Sequence, residues 1–144
     1  MMIIEVLPNL WIGSKGILED SNFLYQKHIK AQINLENDLG FLNRSCEYQD
    51  VVRKNIEKYD IIKSYQYFDK ATEYIYQKIK KSEGVLMVCA TGVEKCPSLL
   101  LAYLIRYGGL QKSIGVQMIR TKILLAFEKG IFGEKGLDYF ISKI

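Results

Sequence analysis

Histidine occurs once in this chain, tryptophan once and proline twice, and no apolar run approaches membrane-spanning length. Each scarcity closes off a class of function. With His28 alone and no His/Cys cluster, the donor set for a metal site is missing, so neither a metal nor a cofactor is assigned. His28 itself reads as a helix-surface residue. Cys46, Cys89 and Cys96 form an odd set without paired spacing. That argues against a disulfide-framed secreted scaffold and for a reducing, intracellular setting, with the cytoplasm the expected compartment. No window is apolar for the ~20 residues a spanning helix needs, so no membrane partner is expected. The opening "MMIIEVLPNL" has no basic stretch, and Glu5 and Pro8 interrupt its apolar run, so no leader peptide is expected. Charge is modest too. A net +4 helps attract anionic partners but falls short of the dense basic stripe of a nucleic-acid binder.

What is present is enough apolar material for one domain. At 144 residues and 49% hydrophobic, the chain suits a single compact unit over 1–144, without repeats, linkers or low-complexity tracts. "IIEVL" and "LWIG" read as two strands around a turn at Pro8-Asn9. "SNFLYQKH" suggests a short helix capped by Ser21 or Asn22. "AQINL" and "YQDVV" are candidate strands. In "IIKSYQYFDKATEYIYQKIKK", Ile61, Tyr65, Phe68, Ala71, Ile75 and Ile79 recur at helical spacing, with Gly84 expected to stop the helix. Its tyrosines (Tyr65, Tyr67, Tyr74, Tyr76) read as packing residues. "VLMVC" is apolar throughout, as in a strand buried on both faces. "PSLLLAYLIRY" is a helix apolar almost all round, with Pro97 in its first turn and Gly108-Gly109 at its end. "QKSIGVQMIRTK", weakened by Gly115, and "LDYFISKI" complete a set of helices. This order argues for an α/β domain.

The segment "VCATGVEKCPS" joins the buried strand to the buried helix. A loop between a strand's carboxyl end and a helix N-terminus turns several N–H groups toward one point, where the helix dipole adds positive potential. An anion is favoured there, and a thiol at that point ionises more readily. The plain alternative is that Cys89 is a buried core cysteine before an ordinary strand–glycine–helix turn.

The same segment resembles the cysteine-dependent dual-specificity phosphatases of the tyrosine phosphatase superfamily. Their signature is H-C-x-x-G-x-x-R-S/T, followed by a helix often reading S-P-x-x-x-x-A-Y-L-M. "VCATGVEKCPSLLLAYLI" matches in register at Cys89, Gly92, Pro97 and Ala102-Tyr103-Leu104. "VLPNLWIGS", "KHIKAQINL" and "YFDKATEYI" are similar to the family's opening strands, its helix-to-strand segment and its helix before the loop. The likeness weakens after Arg120. It implies a central sheet covered by helices on both faces, a nucleophilic Cys89, and a phosphate-binding loop of Ala90, Thr91, Gly92, Val93, Glu94, Lys95 and Cys96.

The departures bear on activity. Val88 stands in place of the family's histidine, Lys95 in place of its loop-closing arginine, and Cys96 in place of its hydroxyl residue. The general-acid aspartate aligns with Asn55, leaving Asp60 and Glu57 as fallback acids. Val88 also reads as plain core and Glu94 as a solvent-facing residue that weakens the anion field. Arg53, Lys54 and Lys58 read as a solvated face that the resemblance would set at the pocket mouth. The phosphoryl-transfer transition state spreads charge over three equatorial oxygens. Arginine's planar fork holds two of them, whereas lysine offers a point charge. Loss of one such donor costs about 10² to 10³ in rate. Loss of a general acid costs about 10² to 10⁴. A deficit on the order of 10⁴ or more is therefore expected. The favoured reading is a pseudophosphatase that binds phosphoproteins through residues 89–95. A weakly active phosphatase using Cys89, Lys95 and Asp60, and a protein-contact module that binds no anion, are the alternatives. The resemblance leaves phosphoprotein, RNA 5′-phosphate and phosphoinositide open as substrate classes, and nothing in the sequence fixes an oligomeric state. Because the hydroxyl after the loop normally meets the nucleophile, the Cys96 sulfur is expected beside that of Cys89.

Overall fold

A computed structural model describes residues 2–35 and 60–144. β1 (Ile3–Leu7) and β2 (Leu10–Ser14) form an antiparallel hairpin. Its turn is made by Pro8 and by Asn9 at φ +69, a left-handed conformation that asparagine tolerates better than most residues. β3 (Ile29–Asn34) and β4 (Gly84–Cys89) complete a sheet of order β1-β2-β4-β3. β4 is parallel to both its neighbours, and all of its side chains are buried, as its unbroken apolar run predicted.

Among the described residues, five helices follow the expected order. α1 (Ser21–Gln26) comes after a 3₁₀ turn at Lys15–Glu19. Its cap is neither Ser21 nor Asn22: Asp20 stands one residue earlier, and its carboxylate accepts the Phe23 N–H at 3.1 Å. His28 lies beyond α1 in an exposed left-handed turn (φ +55), not on the helix surface. α2 (Ile61–Lys80) buries Phe68, Ala71 and Ile75 as predicted, but Tyr67 and Tyr74 join them while Ile61 is exposed. The buried stripe is broader and rotated because α2 packs against α3 on one side and α5 on the other. It ends before Gly84, at a turn carrying Ser82 at φ +59. Gly84 instead opens β4, where a Cβ would come within 2.9 Å of the His28 carbonyl. The predicted strand "YQDVV" lies outside the described residues.

α3 (Cys96–Gly108) buries every residue from Cys96 to Ile105 and ends on Gly109 at φ +67. α4 (Lys112–Lys122) contains Gly115, which propensity alone marks as a weakness; it lies close against α3, where a Cβ would stand 2.6 Å from Cδ1 at the tip of Leu101. α5 (Glu134–Lys143) packs on α2. Arg106 of α3 clamps α2 by donating to the Asp69 carbonyl at 2.7 Å and to Thr72 Oγ1 at 3.1 Å.

Helices cover both sheet faces, unequally. On one, Ala31, Ile33, Val85, Met87 and Cys89 share a core with α2, α3, α4 and α5. On the other, Ile29, Leu86 and Val88 meet Ile17 of the 3₁₀ turn, with Phe23 of α1 packed edge-on to Trp11 at 5.2 Å between ring centres. The consequence for function is positional. The central parallel strand points its carboxyl end at the N-terminus of the most buried helix, the place where open α/β sheets bind ligands.

Candidate active site

β4 ends at Cys89 and α3 begins at Cys96, so the chain reverses within six residues, Ala90 to Lys95. Gly92 makes the reversal possible at φ +79, which other residues reach only at a cost. A Cβ there would run into the Met2 side chain and stand 3.3 Å from the Ser14 nitrogen. The N-terminal segment is fastened beneath the loop by a Met2 N–H to Ser14 Oγ hydrogen bond of 2.8 Å and a Ser14 N–H to Met2 carbonyl hydrogen bond of 2.9 Å. Thr91 Oγ1 accepts the Val93 N–H at 3.3 Å, and the Ala90 carbonyl accepts from Lys15 N–H at 3.4 Å.

The Cys89 sulfur sits at the floor of this turn with no exposed surface. It accepts the Gly92 N–H at 3.2 Å, the N–H groups of Lys95 and Cys96, and the thiol of Cys96. The Cys96 thiol is the largest influence on its ionisation. Burial opposes it, the three amides reinforce it, and together they pull Cys89 down to about 6. Cys89 is therefore mostly thiolate at neutral pH. No side chain caps α3 and no acid stands in its first turn, so the positive end of the helix is left to the loop. The two sulfurs meet, as the alignment of Cys96 with the family's hydroxyl residue implied.

The rim is different. Thr91 and Glu94 are exposed, Glu94 as expected. Lys95, half-buried at the N-cap of α3, holds its Nζ 5.3 Å from the centre of the Phe132 ring. That contact had no local signal, since Phe132 belongs to a Gly-flanked segment far along the chain. A cavity of about 130 Å³ opens beside the loop, between Thr91, Val93 and Glu94 on one side and Leu125, Phe127 and Lys129 on the other. Val88 is core: it packs among Ile17, Ile29 and Leu86.

Asp60 caps α2, its exposed carboxylate accepting the Lys63 N–H at 3.0 Å. Recruiting it as an acid would cost that cap, about 1 kcal/mol. Asn55 and Glu57, like Cys46, Arg53, Lys54 and Lys58, lie outside the described residues. One residue given only a packing role by sequence has more to it. The Tyr67 hydroxyl of α2 is buried without a hydrogen-bond partner among the described residues. Burial, and then the neighbouring sulfurs of Cys96 and Cys89, hold it well above the usual tyrosine range, so it stays neutral. Among the described residues no group of His, Cys, Asp and Glu could hold a metal ion, and no helix is long and apolar enough to cross a membrane.

Comparison with known proteins agrees with this geometry. The chain is 27% identical over 120 residues to dual specificity protein phosphatase 1B of Arabidopsis thaliana, covering 82% of this chain and 70% of that protein. It is 24% identical over 100 residues to dual specificity protein phosphatase 22-B of Danio rerio, covering 69% of this chain and 53% of that protein. The crystal structure of human DUSP28 shares the fold, with a TM-score of 0.77 at 14% identity over 98% of this chain and 90% of that one. Residues 10–125 match the model of the dual specificity phosphatase catalytic domain, and the chain belongs to that family.

Proposed function

We propose that this domain binds phosphorylated protein segments through residues 89–95 and hydrolyses them slowly at best. One observation carries the reading: the floor of the loop is built for an anion while its closing residue is not built for the transition state. Three amides and a thiol converge on Cys89. A helix N-terminus without a side-chain cap stands behind them. At the closing position, Lys95 supplies a point charge over Phe132 where the family uses a bidentate fork. The one described fallback acid, Asp60, is engaged as a helix cap.

A second reading is favoured by the same sulfur. A thiolate at neutral pH is a competent nucleophile, so slow cysteine-dependent hydrolysis of phosphotyrosine or phosphoserine/threonine is the alternative. Calorimetric titration with a phosphotyrosine peptide and its unphosphorylated twin separates the outcomes, run beside aryl-phosphate hydrolysis in wild type and Cys89→Ser. Phosphate-dependent binding with negligible turnover is expected. Hydrolysis at the pace of an active family member, abolished in Cys89→Ser, would replace the first reading with the second. Equal affinity for both peptides would sink both.

A further inference from the structure

The cavity beside the loop is lined by residues that leave the three Cys89-directed amides free for a phosphate, and its mixed chemistry suits one kind of side chain. We propose that it receives a lysine or arginine standing next to the phosphorylated residue, so that the target class is a phosphorylated segment with a basic neighbour. This inference deepens the binding function proposed above and rests on it.

The cavity has two walls. One is the loop itself, where Val93 packs half-buried against the main core and the Glu94 side chain is exposed. The other is the turn after α4. Ile123 and Ala126 anchor that turn in the core, and the Ala126 N–H donates to the Ile123 carbonyl at 3.0 Å. Leu125, Phe127, Glu128 and Lys129 are thereby left to line the cavity. Phe127 stands at φ +63, a conformation that costs a residue with a Cβ about 1 to 2 kcal/mol. Such strain persists where the surrounding packing dictates the backbone, so this wall is set before any ligand arrives.

Size and charge then select the occupant. About 130 Å³ is well below the roughly 300 Å³ at which small-molecule sites begin, and close to the ~150 Å³ of a cavity that holds one benzene. It has room for one side chain. Val93, Leu125 and Phe127 offer it an apolar surface, and Glu94 and Glu128 offer carboxylates. Two carboxylates against the one ammonium of Lys129 leave the lining net negative, the reverse of the chain's overall +4. A second phosphate or an acidic side chain would be repelled there. Lysine and arginine match both features, laying an aliphatic stem on the apolar surface and carrying the charged head to the carboxylates. Because the loop both turns around the anion and walls the cavity, the occupant must belong to a residue one or two places from the phosphorylated one, at about 3.3 Å per extended residue.

The test uses phosphotyrosine peptides with Lys, Ala or Glu placed in turn at each of the two positions before and the two after the phosphotyrosine. They are titrated calorimetrically into the full-length chain, beside tungstate as an oxyanion without flanks. At one position the Lys peptide should bind about fivefold tighter than its Ala twin, the upper range for a single exposed ion pair, and the Glu peptide more weakly than either. In Glu94→Gln/Glu128→Gln the Lys and Ala peptides should become nearly equal at that position, because each preference is a ratio from which any uniform change in phosphate affinity cancels. No preference at any position, an equal preference at all four, or a preference that survives the double substitution overturns the inference. Phosphate-dependent binding would still stand in each of those cases. Failure of tungstate and every phosphopeptide to bind would overturn the anion-binding function and this inference together.

Discussion

The floor and the rim of the 89–95 loop obey different rules. On the floor, Cys89, Gly92 and Cys96 are buried and tied to one another through backbone and thiol hydrogen bonds. On the rim, Thr91 and Glu94 face solvent and Lys95 leans on an aromatic ring. The floor is also the junction of the central strand and the central helix, so loosening it would expose the core. The rim carries no such structural duty, so chemistry can be lost there at little cost in stability. Changes to the floor should therefore register as stability and anion binding, and changes to the rim as turnover.

The largest expected effect lies on the floor. Gly92→Val forces a β-branched residue into a left-handed conformation against the Ser14 backbone. It should destabilise by about 3 kcal/mol in chemical denaturation and abolish tungstate binding. A variant with normal stability would show that the loop is not part of the structural junction.

Next is the pH dependence of Cys89. Its value of about 6 in the folded protein lies below the ~8.5 of a free thiol. The thiolate's contribution is therefore fully present above ~8.5 and is lost as pH falls through 6. Wild type should gain about 2 kcal/mol between pH 5 and 7.5 relative to Cys89→Ser measured at the same two pH values. Parallel stability curves for the two proteins would mean that the amides and the Cys96 thiol do not favour the anion.

On the rim, Lys95→Arg restores the fork and should raise kcat/KM for an aryl phosphate at least about tenfold, with the melting temperature little changed. Adding Asn55→Asp should raise it further. Flat activity in both would indicate that the loop geometry itself has drifted, and the contrast between floor and rim would fall. The smallest effect is at Tyr67. Removing its hydroxyl, which has no partner among the described residues, in Tyr67→Phe should stabilise by about 1 kcal/mol, since a buried donor without a partner forfeits its hydration. A loss of stability in thermal unfolding would reveal a partner for the hydroxyl.

The strand–loop–helix unit was legible in the sequence because its determinants are local. An apolar run short enough to be a strand, a glycine where the chain must reverse, a proline that needs no hydrogen bond in the first helical turn and a leucine-rich helix all lie between Val85 and Tyr107. Hydrogen bonds from neighbouring amides to Cys89 follow from that covalent order. The sulfur-to-sulfur contact was anticipated only through the resemblance, in which the hydroxyl residue at the position of Cys96 meets the nucleophile. Tertiary structure alone decided the rest. Met2 beneath Gly92, Phe132 against Lys95 and Tyr67 near the two sulfurs join segments far apart in the chain. Asp60 read from sequence only as a fallback acid, and the Lys63 N–H that its carboxylate accepts makes it a helix cap. Such pairings depend on how helices and sheet settle against one another, and the apolar burial that drives this is non-directional, so the pattern that ensures packing does not say which distant side chains will meet.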